Sequence, residues 1–448
     1  MSTKPNFTST RNACKLCSPL GASVVYRGIE GCLPLIHGGQ GCSTYIRRYS
    51  ISHFREPIDI ASSNFTESSA VFGGENNLHD ALDNVIRQYH PASIGIATTC
   101  LAETIGEDIR MYLSAYREKR EDLPVIFHAS TPSYRGTHTD GFLEALRSVV
   151  KAFAVGGAPT RRVNILSGFL SAEDLRHLHE TARAYTDDYT LIPDYSDTLD
   201  GGSWEEYQKM PEGGTPVAKI AAMGRAAGSI ELGCARITGG TAGDYLAESF
   251  GVKNDRIDFP IGIVNTDRFH ALLSSITGTE MPEAFRKERG RLVDSYIDGH
   301  KYLFGRKVII YGDEDFVVAM AGFLDETGLV PVLATTGAYH TAFAERVDAA
   351  LTTNRGRIQA AEDTDFASLL ERAKDAGAEM VIGNSKGFYL AKNLGIPLVR
   401  CGFPVHDRIG GQRILHVGYR GTQNLYDRIV NAFLEVKQGS SRIGYSYL

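Results

Sequence analysis

Three cysteines stand out in this sequence because each lies beside turn-forming residues. Cys17 occurs in CKLCSPLGA, Cys42 in HGGQGCSTY and Cys100 in TTCLAET. Thiolates are the soft ligands that iron prefers, and neighbouring glycines let backbone N–H groups approach the sulfides of an iron–sulfur cluster. We therefore interpret these three cysteines as candidate metal ligands.

Other interpretations of these cysteines stay open on spacing alone. Cys14 and Cys17 form a C-x2-C pair, which two ligands of a structural zinc ion often use, but a second close pair is missing. A thioredoxin-like redox pair should follow a strand and open a helix, whereas Cys17-Ser18-Pro19 resembles a turn. Single buried cysteines that only pack the core are also common.

The other cysteines have apolar or strand-like neighbours. Cys32, Cys234 and Cys401 occur in GCLPL, ELGCARI and LVRCGFP, which favours a core position for each. Ser133, in STPSYRGTH, is by itself typical of a helix N-cap or a turn. We interpret His37, next to HGGQG, as a hydrogen-bonding partner of that loop rather than a ligand.

Apolar strands alternate with amphipathic helices along much of the chain. In the clearest example, between Arg162 and Pro193, the strand-like VNILSG is followed by the helical SAEDLRHLHETARAY and then by the strand-like YTLIP. Earlier, SIGIATTC and PVIFHAS flank a helical AETIGEDIRMYLSAYREK. This alternation predicts parallel βαβ units, and ligands of such sheets gather beyond the carboxyl ends of the strands. Cys100 and Ser133 both follow predicted strands.

The length of 448 residues is enough for about three domains of roughly 150 residues each. We predict an α/β protein of three Rossmann-like domains with parallel sheets. The N-terminal domain would span residues 1–158 and carry the candidate ligands, the middle domain 159–300, and the C-terminal domain 301–448. The Gly-rich and acidic stretch at 200–214 is predicted to be a loop.

Composition excludes several classes of function. The formal charge of −6 argues against binding to nucleic acid or to an anionic membrane. The sequence has no long apolar run and no secretion signal, so we expect a cytoplasmic protein, in which an odd count of seven cysteines disfavours a disulfide framework. HGGQG lacks a Walker lysine, and the G-x-S-x-G elbow of hydrolases is absent.

The motifs together resemble one family, the β subunits of nitrogenase component 1. CSPLGA, PLIHGGQGCSTYIRRYSISHFREP, FTESSAVFGGENN, TTCLAETIGEDI and HASTPSYRGTH follow its N-terminal domain in order and with similar spacing. ERGRLVDSYIDGH, GDEDFV, IGNSKG and VGYRG resemble later segments, so the resemblance covers nearly the whole chain. It implies the nitrogenase component 1 type of three-domain fold.

The resemblance also implies a set of ligands. Cys17, Cys42 and Cys100 match the β-side thiolates of the 8Fe–7S P-cluster, and Ser133 matches a serine that ligates one iron in the oxidised cluster. A partner α-type subunit would supply three further cysteines, so that the cluster lies between the two subunits. Tyr45 matches an aromatic residue between this cluster and the active-site cofactor.

The partners implied by the resemblance are two proteins. The α-type subunit would hold the active-site iron–sulfur cofactor within an α2β2 heterotetramer. An ATP-dependent iron protein, a homodimeric reductase, would dock near Phe72 and deliver electrons, which this chain would relay.

Within the family, the sequence favours a methylthio-alkane reductase, which forms methanethiol and a hydrocarbon. Only 16 residues precede Cys17, whereas dinitrogen-reducing β subunits usually carry a longer extension, and Arg135 and Thr137 depart from the usual residues around Ser133. One alternative is a dinitrogen-reducing β subunit. Another is a scaffold subunit for cofactor assembly, which generally lacks ligands at the positions of Cys17 and Cys100.

Overall fold

Three parallel sheets follow one another along the chain, and each is built from short apolar strands joined by helices. The structure is a computed structural model that describes residues 15–233, 240–339 and 342–442. Its strands are almost entirely buried, as expected where helices cover both faces of a parallel sheet. The predicted α/β class with parallel sheets is therefore confirmed.

The first sheet carries the candidate site. Its strands are β1 (Cys32–His37), β2 (Ala61–Ser62), β3 (Ser93–Thr98) and β4 (Val125–Ala129), in the order β2-β1-β3-β4. Its helices are α1 (Ser18–Arg27), α2 (Gln40–Phe54), α3 (Glu67–Phe72), α4 (Glu75–Tyr89), α5 (Cys100–Ile105), α6 (Ile109–Glu118) and α7 (His138–Phe153).

One prediction for this region is wrong in detail. The single helix expected between β3 and β4 is two helices, because Gly106 adopts the left-handed conformation (φ +80°) that ends α5. The Asp108 side chain then accepts the N–H of Met111 and caps α6. This break turns α5 into a short independent helix that begins with Cys100.

The second sheet has the order β6-β5-β7-β8. Its elements are β5 (Val163–Leu166), α8 (Ala172–Arg183), β6 (Tyr189–Ile192), α9 (Val217–Ala221), β7 (Gly228–Leu232), α10 (Ala242–Phe250), β8 (Asn254–Ile257) and α11 (Ile263–Thr277). The predicted loop at 200–214, all of it described, contains neither helix nor strand.

The third sheet has the order β11-β10-β9-β12-β13. Helix α12 (Glu283–Leu303) precedes it. Its elements are β9 (Lys307–Gly312), α13 (Glu314–Glu326), β10 (Val330–Thr336), α14 (Phe343–Ala350), β11 (Gln359–Ala361), α15 (Phe366–Ala376), β12 (Met380–Gly383), α16 (Phe388–Leu394), β13 (Leu398–Arg400) and α17 (Gly418–Ser440). Each sheet lies within one of the predicted domain ranges, whose boundaries stay a prediction.

Buried polar contacts connect the three sheets around one extended apolar core. Asp174, on α8, accepts the backbone N–H groups of His416 (2.6 Å) and Val417 (3.0 Å), and lies 2.8 Å from Nδ1 of the His416 ring. In the same region His138 Nε2, on α7, lies 3.0 Å from Asp313 Oδ1, at the start of α13. The first contact set holds the second sheet against the residues that precede α17. The contact between His138 and Asp313 holds the first sheet against the third.

We predict that Asp174→Ala destabilises the fold by about 3 kcal/mol, because removal of the carboxylate leaves buried N–H groups without an acceptor. Burial opposes ionisation of Asp174, but His416 and the two N–H groups still hold its pKa below the ordinary value. The stabilisation is therefore present above the unfolded-state pKa and is lost as pH falls from about 4 towards the lower folded-state pKa.

The measurement is the apparent melting temperature of the unmodified protein and of Asp174→Ala across that pH range. Lys374→Ala is the control, because Lys374 forms only an exposed pair with Glu371 (2.9 Å) and its loss should change stability by less than about 1 kcal/mol. An Asp174→Ala protein as stable as the control would contradict this account.

Candidate functional site

Each of the three candidate thiols lies at the N-terminal end of a helix. Cys17 is the N-cap of α1, Cys42 is the third residue of α2, and Cys100 is the first residue of α5. The sequence analysis expected turns, and the structure adds that each turn opens a helix. Helix N-termini present free N–H groups and a positive dipole end, which favour negatively charged groups such as thiolates.

Strand pairing brings two of these helix starts together. β1 and β3 are parallel neighbours, and His37 at the end of β1 pairs with Thr98 at the end of β3. The Thr99 N–H donates to the His37 carbonyl (3.1 Å), so the turns leading to Cys42 and Cys100 leave the same edge of the sheet. Gly38 is needed here, because a Cβ atom on it would lie 2.1 Å from Thr99 Oγ1.

Ser133 joins the turn that carries Cys17 to the helix that carries Cys100. The Ser18 N–H donates to Ser133 Oγ (3.1 Å), and the Ser133 N–H donates to Cys100 Sγ (3.2 Å). The Leu16 carbonyl accepts the N–H of His138 (3.0 Å), which anchors the same turn to α7. The structure therefore places Ser133 in contact with Cys100 and with Ser18, the residue that follows Cys17.

The Cys42 thiol lies close enough to Cys17 and Cys100 to interact with them electrostatically. The pKa of the Cys42 thiol is raised, first by partial burial and then by the neighbouring Cys17 and Cys100. The pKa of Tyr45, on α2, is raised first by burial and then by the neighbouring Cys17 thiol. The Tyr45 ring lies 4.7 Å from the Tyr49 ring.

The site opens onto the protein surface. Cys17 and Cys100 are half-buried and Cys42 is exposed, and none of the five cysteines in the described segments forms a disulfide. Within residues 15–233, 240–339 and 342–442, no three His, Cys, Asp or Glu side chains lie close enough to hold a single metal ion. The thiols thus border a shared face instead of surrounding one point.

The other predicted positions have separate environments. Cys32 and Cys401 are buried in the core, where burial raises the pKa of each thiol to about 12, as the core interpretation expected. Cys14, of the possible zinc pair, and Cys234 lie outside the described residues. Phe72, on α3, is 88% exposed, and Val71 beside it is 75% exposed.

Two carboxylates, one on α5 and one just after it, were not predicted from the sequence. Glu103, on α5, accepts the hydroxyl groups of Thr98 and Ser130. Glu107 accepts the N–H of Gly74 (2.9 Å) and lies 3.0 Å from His37 Nε2. The hydrogen-bonding partners of His37 beyond β1 are therefore Glu107 and Thr99, and not the HGGQG loop as predicted. An acidic residue after a glycine is typical of a surface turn, and its partners are far away in sequence.

The described segments contain no helix that is long and apolar enough to span a membrane.

Comparison with known proteins identifies the family. Residues 17–434 match the family described as nitrogenase component 1 type oxidoreductase. The chain is 35% identical to the nitrogenase molybdenum-iron protein beta chain of Clostridium pasteurianum, over 95% of this chain and 93% of that one. It is 33% identical to the Frankia alni protein of the same name, over 95% of this chain and 83% of that one.

A solved structure supports the same assignment across the fold. The structure titled nitrogenase Cp1 at pH 6.5 superposes with a TM-score of 0.95 at 32% identity, covering 100% of this chain and 98% of the other. The chain therefore belongs to the nitrogenase component 1 type oxidoreductase family.

Proposed function

We propose that this chain is the β-type subunit of a nitrogenase component 1 complex and that it holds half of an iron–sulfur P-cluster. The proposed ligands are Cys17, Cys42 and Cys100, with Ser133 as a conditional fourth. The observation that carries the proposal is the contact of Ser133 with both the Ser18 N–H and Cys100 Sγ in a member of this family.

The donor set fits such a cluster. Three thiols supply the soft ligands that iron–sulfur clusters use, and their helix N-termini favour the negative charge that a thiolate-ligated cluster carries. The thiols border an exposed face. An α-type partner with three more thiolates would complete the 8Fe–7S cluster across that face, within an α2β2 heterotetramer.

Ser133 would adjust the oxidised state of the site. The Ser133 hydroxyl oxygen accepts the Ser18 N–H, which holds Ser133 beside the Cys17 turn. The Ser133 N–H donates to Cys100 Sγ. An oxygen ligand is harder than sulfur and favours more oxidised iron. When bound, the P-cluster supplies reversible one-electron transfer, and the N–H groups around the thiolates adjust its potential.

The exposed pair Val71 and Phe72 is the proposed contact for an ATP-dependent iron protein dimer. Large apolar side chains that are 75% and 88% exposed next to a redox site suit a transient docking surface. Electrons would pass from this surface to the thiol-bound site, and then to the active-site iron–sulfur cofactor of the α-type subunit. Tyr45, whose pKa the neighbouring Cys17 thiol raises, would lie between the cluster and that cofactor.

Dinitrogen is the substrate that the comparisons favour over methylthio-alkanes. The preference for methylthio-alkanes depended on a short N-terminus and on Arg135 and Thr137, yet this chain covers 93% of the Clostridium nitrogenase beta chain and only 83% of the Frankia one. Length therefore varies among nitrogenase beta chains and does not distinguish the substrates. Retention of Cys17 and Cys100 argues against an assembly scaffold.

We predict that Cys100→Ala removes most of the iron that this site contributes and abolishes electron transfer, because the cluster loses a thiolate beside Ser133. The measurement is iron content and the reduced-minus-oxidised spectrum of the purified α/β complex. Cys401→Ala is the matched control, since that cysteine is buried in the core and its loss should leave the iron in place. Equal iron in both variants would refute the ligand assignment.

We predict that Ser133→Ala changes the oxidised form of the site and leaves the reduced form nearly unaltered, because an oxygen ligand matters most to oxidised iron. A redox titration of the α/β complex should show an altered midpoint potential at the oxidising end. In the control Ser148→Ala, the lost hydroxyl donates to the Ala145 carbonyl of its own helix. A titration curve identical to that of the control would exclude ligation by Ser133.

We predict that the complete complex, with iron protein and ATP, forms labelled ammonia from labelled dinitrogen. Methanethiol release from a methylthio-alkane is measured in parallel under the same electron flux. Ammonia without methanethiol supports dinitrogen as the substrate, whereas methanethiol alone would support the methylthio-alkane reductase function instead. A complex that binds iron but reduces neither compound would point to the assembly scaffold.

A further inference from the structure

Glu107 is a buried carboxylate that bonds two other segments of the chain, one at His37 and one at Gly74. Its side chain is 3% exposed. Oε1 and Oε2 accept the N–H of Gly74 at 2.9 and 3.2 Å, and Oε2 lies 3.0 Å from Nε2 of His37. A carboxylate removed from water needs such partners to offset the cost of its burial.

Each contact of Glu107 leads directly to a functional position. Gly74 follows the exposed Phe72 by two residues. His37 ends β1, and the chain then passes through Gly38 and Gly39 to α2, which carries Cys42. Glu107 itself follows α5, whose first residue is Cys100, and its N–H donates to the Ala102 carbonyl of that helix (3.1 Å).

The contact between Glu107 and Gly74 is closely packed. A Cβ atom on residue 74 would lie 2.3 Å from the Phe65 ring and 2.9 Å from Glu107 Oε2, so only glycine lets this N–H approach the carboxylate. The Phe65 ring also packs edge-on against His37 at 4.6 Å. Because packed interiors leave little free volume, a displacement at residue 74 is passed on to its neighbours.

The N-terminal part of α5 is also held by hydrogen bonds. Glu103 accepts the hydroxyl of Ser130 (2.7 Å) and that of Thr98, while Cys100 Sγ accepts the Ser133 N–H (3.2 Å). A helix of six residues spans only about 9 Å and moves as one unit. Glu107 and Cys100 are therefore the two ends of one short rigid connection.

We propose that Glu107 is a positioning residue that couples the exposed Val71–Phe72 segment to the thiols of Cys42 and Cys100. The proposal rests on the proposed function, in which the iron protein docks at Phe72 and the thiols hold the cluster. A protein that presses on Phe72 acts through Gly73 and Gly74 on the Glu107 carboxylate, and from there on α5 and the end of β1. Docking and electron transfer are linked by this one side chain.

The test compares Glu107→Ala and Glu107→Gln in the complete α/β complex with iron protein and ATP. Glu107→Ala should lower the maximal rate of electron delivery by about tenfold while the KM for iron protein stays unchanged, because docking remains but is not transmitted. Glu107→Gln keeps an acceptor for the Gly74 N–H and should restore most of the rate. A small chemical reductant, which needs no docking, should reduce the site equally in all variants.

Two control variants separate this role from general damage. Phe72→Ala removes the docking contact itself and should raise the KM for iron protein. Glu231→Ala removes an equally buried carboxylate of the second sheet, which bonds Thr241 and Asn254 (both 2.8 Å), and should lower stability without a selective effect on delivery. If Glu107→Ala yields no soluble complex, Glu107→Asp, which shortens the same acceptor by one methylene, is measured in its place.

The outcomes are distinct. Unchanged delivery in Glu107→Ala would overturn the proposal, as would an equal loss with iron protein and with the small reductant. An unmodified complex that contains no cluster would overturn the proposed function instead, and iron analysis of that complex reveals this before any variant is compared.

Discussion

The parallel pairing of β1 with β3 is the constraint on which the site depends. It aligns His37 with Thr98, so that the two turns after these residues leave the same edge of the sheet. The bond from the Thr99 N–H to the His37 carbonyl then holds the turns against each other, and Gly38 permits that approach. A slip in this register would separate the helix starts that carry Cys42 and Cys100.

The third thiol reaches the same face by a different physical route. Cys17 precedes α1, which packs on α7 instead of continuing a strand, and the Leu16 carbonyl bonds the N–H of His138. Ser133 connects the Cys17 turn to α5 through two hydrogen bonds, because its Oγ accepts the Ser18 N–H and its own N–H donates to Cys100 Sγ. The site is thus assembled from strand register on one side and from helix packing on the other, and its open face leaves room for a second subunit.

Local pattern was enough to predict the parallel sheets and to single out the glycine-flanked cysteines, because both are visible within short windows of sequence. The assignment of these cysteines and of Ser133 as ligands came from the family resemblance. Local pattern was not enough for the break between α5 and α6, where Gly106 ends a helix that propensity alone would continue. It also missed Glu107, whose partner His37 lies 70 residues away. Contacts of that kind are set by strand order, which no local window contains.

The position of Glu107 also explains a feature of α4. A capping box would have the N3 side chain accept the N–H of the N-cap residue, but the N3 residue Asn77 accepts the Ser69 hydroxyl instead (2.9 Å). Glu107 supplies the missing acceptor for the Gly74 N–H from outside the helix. Because burial lowers the pKa of His37 and so disfavours an ion pair with Glu107, the cap is the main structural gain from this carboxylate. The helix that follows the exposed Phe72 is therefore capped by the segment that carries Cys100, which makes the geometry of one dependent on the other.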